Sequence, residues 1–225
     1  MIRTKLMYRI LPSYTKGEEI FNMVSHIAGV GLGVVALLTC VIVAAYNQNV
    51  WGIVSGAIYG FALILLFTAS SLYHGLTAEL PKKVFQVIDH CTIFILISGT
   101  YTPILLNKYR EEYPFEAWVM FSVVWGFAIL GIVLNAIDLK RFKTFSMICY
   151  LEMGWLVIFR FNKLLDVIGS TFFVFLLVGG VFYTSGAILY VIGKKKKYMH
   201  SVFHLFVVAA ALMHFLGIAI FIMPV

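Results

Sequence analysis

The chain has 225 residues, of which 62% are hydrophobic and only 12% are charged, and its mean hydropathy is +0.97. Soluble domains contain about 45–50% apolar and about 25% charged residues. The composition therefore excludes a globule with a water-facing surface on all sides, and the length suits one compact domain. The net charge of +7 is compatible with a nucleic-acid partner or with anionic lipid.

The first predicted element is a tail formed by residues 1–18. It contains basic residues but no apolar stretch ahead of a small-residue cleavage site, so a cleavable signal peptide is not expected. We expect this tail to lie in the cytoplasm at the membrane surface. Residues 19–225 are then predicted to form a single transmembrane domain.

A helix needs about 20 mostly apolar residues to cross a bilayer, and seven segments of the chain meet that requirement. Polar or charged runs separate them. The fold class predicted is an all-α integral membrane protein, a bundle of seven transmembrane helices. The predicted spans are residues 20–46, 50–74, 86–107, 115–136, 143–161, 168–192 and 199–223.

The basic residues of the loops predict the orientation, because cytoplasmic loops carry an excess of Lys and Arg. Thirteen of the 17 Lys and Arg residues fall on the side of the N-terminus, and four fall on the other side. The N-terminus is therefore predicted to be cytoplasmic and the C-terminus to be outside. Anionic lipid headgroups then account for the positive charge, and no nucleic-acid partner is expected. The thirteen are Arg3, Lys5, Arg9, Lys16, Lys82, Lys83, Lys140, Arg141, Lys143 and Lys194 to Lys197.

Ionisable groups are costly inside lipid and usually mark functional sites. In the predicted topology they collect at the cytoplasmic ends of four helices. The residues are His26 in the first helix, His74 in the second, Asp89 and His90 in the third, and His200 and His204 in the seventh.

Helical spacing places several of these groups on common faces. His200 and His204 are four residues apart, so both rings can reach one ion, and Ser70 and His74 have the same relation. In the first helix, one polar stripe is predicted to contain Glu19, Asn22 and His26.

Three histidines with a nearby carboxylate indicate a metal site. Neutral imidazole suits zinc, copper, iron or nickel, and three histidines with an open fourth position are typical of catalytic zinc. A pair of stacked haems would need a second helix with a matching histidine pair, which the sequence lacks. Asp89 could bind the metal or serve its bound water as a base.

These residues resemble the hemolysin III family, the bacterial branch of the progestin and adipoQ receptor superfamily, over nearly the whole chain from Glu19 onward. The motifs that carry the resemblance are E-I-F-N-M-V-S-H, S-S-L-Y-H, D-H-C-T-I-F-I-L-I-S-G-T-Y-T-P and H-S-V-F-H, followed by a further histidine, His214.

The resemblance implies a seven-helix bundle with a cytoplasmic N-terminus, in a bacterial cell membrane. It also implies zinc as the cofactor, with His74, His200 and His204 as ligands. Asp89 would contact the metal-bound water, and Ser70 would polarise the site. His26, Glu19 and Asn22 are expected to support the site.

Three further residues receive weaker predictions. His214 lies about 15 Å from His204 along the helix, at about 1.5 Å per residue, so it cannot bind the same ion. It is expected to line a cavity for lipid tails or to bond to Glu152. His90 points away from Asp89 and is expected to face the headgroups. Gly29, Gly31 and Gly33 form a stripe that predicts close helix packing.

Four functions compete at this point. The first is a zinc-dependent intramembrane hydrolase of lipid amides or esters, with membrane lipids as partners and a role in lipid homeostasis or cytolysis. The second is a sensor or regulator of membrane state in which zinc is only structural. A pore-forming hemolysin is less favoured because polar groups collect at one end only, and a zinc transporter would need ligands at several depths. Protein partners, oligomeric state and substrate stay open.

Overall fold

The computed structural model describes residues 6–193 and 196–224. Arg3, Lys5, Lys194 and Lys195, which contributed to the predicted orientation, lie outside the described residues. Most of the described residues are helical. Six long helices follow one another: α1 (Lys16–Tyr46), α2 (Val50–Gly75), α3 (Glu79–Ile104), α4 (Pro114–Trp155), α5 (Phe161–Ile192) and α6 (Met199–Gly217).

Local sequence explains where the first two helices begin. Thr15 caps α1: its hydroxyl oxygen accepts a hydrogen bond from the Glu18 N–H, and the Glu18 carboxylate accepts one from the Thr15 N–H at 2.8 Å. This reciprocal capping box satisfies two backbone donors that have no partner within the helix. Asn49 caps α2 by accepting from the Gly52 N–H at 2.8 Å. Both helices therefore have defined starting points close to the predicted ones.

Helix α3 ends in an irregular region. Pro103 lies inside its last turn, and a π-helical segment, Leu105–Tyr109, follows it. Asn107 in this segment has a non-helical backbone. Its amide nitrogen donates to the Ser55 hydroxyl at 3.0 Å, and its amide oxygen accepts from the Asn49 side chain at 2.9 Å. The irregular end of α3 is thereby fixed to the start of α2.

The chain folds back on itself at Asp138, inside α4, where the backbone leaves the helical conformation. The Asp138 carboxylate accepts hydrogen bonds from the N–H groups of Lys140 and Arg141, so it caps the helical stretch that follows. The Ser146 hydroxyl donates to the Asn135 amide oxygen at 2.6 Å. In a continuous helix these two residues would lie about 16 Å apart, so their contact requires the reversal.

A second change of direction separates the end of α4 from the main part of α5. The Trp155 indole N–H donates to the Thr184 hydroxyl at 3.0 Å, which brings the two helices side by side. The gap predicted between the spans 143–161 and 168–192 is not a loop, because α5 already begins at Phe161. The backbone break lies at Gly169, whose φ of +78° favours glycine over residues with a Cβ atom.

Within the part of the chain that the structure describes, five helical segments are apolar and long enough to cross a membrane: Lys16–Tyr46, Val50–Gly75, Glu79–Glu112, Pro114–Ile192 and Met199–Ile222. The fourth contains 79 residues and both backbone breaks. Large apolar side chains cover the outside of the molecule, for example Ile42 and Ile129, which are 63% and 61% exposed. A surface of this kind suits contact with lipid.

The two N-terminal helices pack closely through glycines. A Cβ atom at Gly60 would lie only 2.4 Å from the Cα atom of Leu37, and one at Gly33 would lie 2.9 Å from the backbone nitrogen of Ile64. The predicted glycine stripe is only partly right. Gly29 packs against Phe67, but Gly31 is exposed and has nothing within 4 Å of its Cβ position. The division of the chain into a tail of residues 1–18 and one transmembrane domain stays a prediction.

Candidate metal centre

Three histidines from two helices meet at one end of the molecule. His74 lies in the last turn of α2, and His200 and His204 lie in the first two turns of α6. The Nε2 atom of His200 is 3.3 Å from that of His74 and 3.1 Å from that of His204. All three residues offer a ring nitrogen within 4.8 Å of the other two, so they could hold one metal ion. We call these residues the histidine cluster.

The start of α6 is fixed by a contact with α1. Tyr198, which precedes α6, has a left-handed backbone with φ of +61°. Its N–H donates to the Glu18 carboxylate at 2.7 Å, the same carboxylate that caps α1. The two helix ends are therefore joined by one side chain, and this sets the position of His200.

A carboxylate orients His74. The Glu19 carboxylate oxygen Oε2 lies 2.6 Å from the His74 Nδ1 atom, and Oε1 lies 3.0 Å from the Lys82 ammonium. Because a carboxylate accepts the hydrogen bond, Nδ1 carries the proton and Nε2 presents its lone pair to the cluster. Lys82 also donates to the carbonyls of Tyr73 and Leu76 at the end of α2. Glu19 and Lys82 together hold the tautomer and direction of the ring.

We expect Glu19→Gln to weaken zinc binding by about tenfold to 100-fold, the usual effect of removing an orienting carboxylate. The amide would leave Lys82 without its counterion and would hold the His74 proton less strongly. Competition with a zinc-binding fluorescent chelator measures the change. Glu79→Gln is the matched control, because Glu79 is exposed and pairs with Lys83 outside the cluster. Equal zinc affinity in both variants would contradict the role given to Glu19.

The spacing of the ring nitrogens fits zinc. Zn–N bonds of about 2.0–2.1 Å in a tetrahedron put ligand nitrogens about 3.4 Å apart, close to the two separations between Nε2 atoms in the cluster. Among the described residues, the Nδ1 atoms of His200 and His204 have no hydrogen-bond partner. The three ligands are all imidazoles, and no thiolate is among them. Because zinc prefers four ligands, a fourth position is available for water or substrate.

The predicted supporting residues of α1 lie beside the cluster. The His26 ring stacks on that of His204, with centroids 3.8 Å apart and an interplanar angle of 22°. Within the described part of the chain, neither nitrogen of His26 makes a hydrogen bond. The Asn22 amide nitrogen is 3.5 Å from the His74 Nδ1 atom. The polar stripe predicted for the first helix is therefore formed as Glu19, Asn22 and His26.

Asp89 and Ser70 lie near the cluster, in the wall of a cavity that His26, His200 and His204 also line. The Ser70 hydroxyl is close enough to the Asp89 carboxylate to interact with it. The prediction that His90 points away from Asp89 is wrong, because its Nδ1 atom lies 3.6 Å from the Asp89 carboxylate and its side chain also lines this cavity. Helices pack against both sides of α3 here: the Tyr150 hydroxyl, from α4, donates to the His90 carbonyl at 2.7 Å.

Tyr14, a residue outside the predicted site, covers the cluster. Its ring stacks on that of His200 at a centroid distance of 5.0 Å and lies 5.6 Å from that of His74. Burial raises the pKa of the Tyr14 phenol well above its usual value, so the group stays neutral. No sequence pattern indicates this contact, because it joins residues far apart in the chain.

The cavity has a volume of about 190 Å³ and continues from the histidine cluster toward His214. Its wall is mostly apolar, and Trp155 forms part of it. His214 lines the cavity, as predicted, and its Nε2 atom lies 3.1 Å from the Leu176 carbonyl oxygen. The alternative bond to Glu152 is wrong, because Glu152 is exposed on the outside of α4.

The chain is similar in sequence to proteins of a known family. The sequence profile of the family described as Haemolysin-III related matches residues 14–215. "Hemolysin-3 homolog" of Bacillus subtilis (strain 168) is 38% identical over 198 residues, 88% of this chain and 91% of the relative. "Hemolysin-3" of Bacillus cereus is 33% identical over 207 residues, which is 92% and 93% of the two chains.

A more distant relative is the human "Monocyte to macrophage differentiation factor", 25% identical over 182 residues, 76% of this chain and 72% of the relative. No solved structure is significantly similar to the chain. The profile match includes the histidine cluster and the apolar helices that identify a membrane protein, so the resemblance stated from the motifs is confirmed. The chain belongs to the haemolysin-III related family.

Proposed function

We propose that this protein binds zinc at His74, His200 and His204 and hydrolyses a lipid amide or ester inside the membrane. One observation carries the proposal: His200 and His204 of the cluster, together with Asp89, line a cavity whose wall is mostly apolar. A metal there can meet the polar group of a lipid whose hydrocarbon chain occupies the rest of the cavity. Apolar walls with a few converging polar groups are typical of ligand sites.

The proposed topology has seven membrane-spanning helices with the N-terminus in the cytoplasm. The breaks at Asp138 and Gly169 support this count, because they divide the 79-residue segment into three parts. A straight helix of that length would be about 120 Å long, at 1.5 Å per residue, far more than the bilayer core of about 30 Å. The orientation is supported by the distribution of Lys and Arg.

In this mechanism the protein side chains position the substrate and move the proton. Bound zinc would supply Lewis acidity at the carbonyl of the lipid. The apolar wall holds the hydrocarbon chain and excludes water from it. Asp89 accepts a proton from the attacking water and later delivers it to the leaving group, and Ser70 orients the Asp89 carboxylate.

A regulator with a structural zinc is the second candidate. It is favoured by the cluster joining α2 to α6, so that zinc would tie the two helices together. A pore is less suitable, because most of the cavity wall is apolar. One relative bears the name Hemolysin-3. We attribute any lytic effect of this chain to disturbed lipid composition.

The test is lipid hydrolysis by purified, zinc-loaded protein in lipid nanodiscs, with released fatty acid measured by mass spectrometry. We expect Asp89→Asn to keep its zinc and to lose activity by about 10²–10⁴-fold, the usual contribution of a general acid–base. Glu152→Gln is the matched control, because this exposed carboxylate lies outside the cavity wall, and it should retain full activity. Zinc-loaded wild type that hydrolyses no lipid amide or ester would overturn the hydrolase and favour the structural zinc.

A further inference from the structure

One basic side chain lies in the wall of the cavity. Among the described residues, Lys143 is the one lysine or arginine that lines it. It lies in α4 shortly after the reversal at Asp138, and it is half-buried. The mechanism proposed above does not use this residue. An ammonium group beside apolar walls loses part of its hydration, so it needs a partner that offers oxygen atoms or negative charge.

Contacts with three helices place the Lys143 ammonium close to the histidine cluster. Its Nζ atom donates to the Tyr190 hydroxyl of α5 at 3.0 Å and lies 5.3 Å from the centroid of the same ring. The centroids of the Tyr190 and His200 rings are 5.5 Å apart. The ammonium charge is also close enough to the rings of His90 and His200 to interact with both. These side chains all line the cavity, so the ammonium lies among cavity-lining residues of α3, α5 and α6.

The Lys143 ammonium has unused hydrogen-bonding capacity. It carries three N–H donors, and its hydrogen bond within the described residues goes to the Tyr190 phenol. It forms no ion pair with a carboxylate in that part of the chain. Asp89, the carboxylate of the cavity wall, instead interacts with Ser70 and lies 3.6 Å from His90 Nδ1. Because a phenol accepts a hydrogen bond without neutralising the charge, the complement of this ammonium is an anion.

The other polar side chains of the wall offer no competing charge. The hydroxyls of Thr100 and Ser146 donate to oxygen atoms of the protein at 2.8 Å and 2.6 Å, and that of Thr184 accepts from an indole N–H at 3.0 Å. The hydroxyls of Tyr101 and Tyr150 donate to backbone carbonyls at 3.1 Å and 2.7 Å. Aliphatic hydroxyls and phenols are uncharged at neutral pH, so none of them determines the charge of a group bound here.

We propose that the lipid bound in the cavity has a phosphate group in its headgroup, and that this phosphate pairs with Lys143 while the ester or amide carbonyl lies at the histidine cluster. The inference rests on the proposed function in one respect, namely that a lipid occupies the cavity. Phosphate oxygens accept charge-assisted hydrogen bonds, which are about twice as strong as neutral ones. A phospholipid carries its phosphate next to its acyl esters, so both groups can reach this end of the cavity together. Lys143 thus favours phospholipids over neutral lipids.

Three ligands that share a glycerol unit test the proposal by calorimetric titration of purified, zinc-loaded wild type in a nonionic detergent. The first, 1-palmitoylglycerol, has an acyl chain and no charge, and the second is its 3-phosphate. The third, glycerol 3-phosphate, has the phosphate without the chain. We expect the palmitoyl phosphate to bind about tenfold more tightly than 1-palmitoylglycerol, as one charge-assisted hydrogen bond allows. Glycerol 3-phosphate should bind much more weakly than either.

Three variants show which group recognises the phosphate. Lys143→Met keeps the aliphatic stem and removes the charge, so it should abolish the tenfold preference. Lys140→Met is the matched control, because Lys140 is an exposed lysine of the same helix outside the cavity wall, and it should keep the preference. His204→Ala, which lacks a metal ligand, should also keep it, because Lys143 rather than zinc holds the phosphate.

The outcomes separate this inference from the proposed function. Equal affinities of the two palmitoyl lipids for the wild type, or a preference that Lys143→Met retains, would overturn the inference and leave the lipid cavity intact. Loss of the preference in Lys140→Met would assign it to general surface charge, and loss in His204→Ala would assign it to the metal; either result would overturn the inference as well. Glycerol 3-phosphate binding as tightly as the palmitoyl phosphate would indicate a site for free phosphate esters and would contradict a lipid ligand. Failure of both palmitoyl lipids to bind would remove the lipid cavity of the proposed function.

Discussion

The His204→Ala variant is expected to purify with almost no zinc, whereas the wild type should carry about one ion per chain, as a single three-histidine site predicts. His204 is 1% exposed, and its Nε2 atom is 3.1 Å from that of His200. Alanine removes one of the three imidazoles and leaves two ligands. Because the affinity of such sites depends on the full set of ligands held in place, the loss should be almost complete.

Metal analysis by mass spectrometry on protein purified without chelators measures this result. His90→Ala is the control, because it removes a histidine from the same cavity without touching the cluster. The His90 Nδ1 atom instead donates to the Gln86 carbonyl at 2.8 Å. Zinc retained by His204→Ala, or lost equally from His90→Ala, would show that the cluster is not the binding site. Thermal unfolding of both variants should be recorded, so that misfolded protein is not mistaken for loss of a ligand.

Replacing Gly60 by leucine is expected to destabilise the protein by about 3 kcal/mol, at the upper end of the usual cost of overpacking. A Cβ atom at this position would lie 2.4 Å from the Cα atom and 2.8 Å from the backbone nitrogen of Leu37. Backbone atoms cannot rotate out of the way as a side chain can, so α1 and α2 must separate. A loss of this size corresponds to a fall of about 10 °C in the unfolding temperature for a chain of this length.

Gly31→Leu is the matched control, because it introduces the same side chain on α1 at a position with nothing within 4 Å. Its unfolding temperature in detergent should equal that of the wild type within about 2 °C, since surface changes alter stability by little. Separation of α1 from α2 should also move Glu19 away from His74, so Gly60→Leu should bind zinc more weakly. An unchanged unfolding temperature for Gly60→Leu would contradict the close helix contact.

The helices could largely be predicted from the sequence, because the thickness of a bilayer sets the length of each apolar segment. The predicted segments 20–46 and 50–74 correspond to α1 and α2. The differences lie at the ends, where polar residues extend a helix beyond its apolar part. Helix α3 begins at Glu79 rather than near residue 86, since its first turns bury Lys82 and Lys83 in hydrogen bonds to backbone carbonyls.

The site was predictable as far as it depends on helical spacing. The Nε2 atoms of His200 and His204 lie close together, as their spacing predicts, and the Nε2 atom of His74 approaches them from α2. The position of Lys82 in a predicted loop indicates only a positive charge on the cytoplasmic side. A basic side chain near the end of α2 is also typical of contact with free carbonyls, which is the contact that Lys82 makes. Tyr14 and the His214–Leu176 contact depend on how distant segments pack. One sequence contains no direct signal of such packing.

The position of Trp155 has a practical consequence. It is the tryptophan, of four in the chain, that lines the cavity, and its indole N–H is held by the Thr184 hydroxyl. Indole emission changes colour and intensity with the polarity of its surroundings. The protein thus contains an intrinsic fluorophore beside the space that a ligand would fill, and filling can be followed in real time without a label.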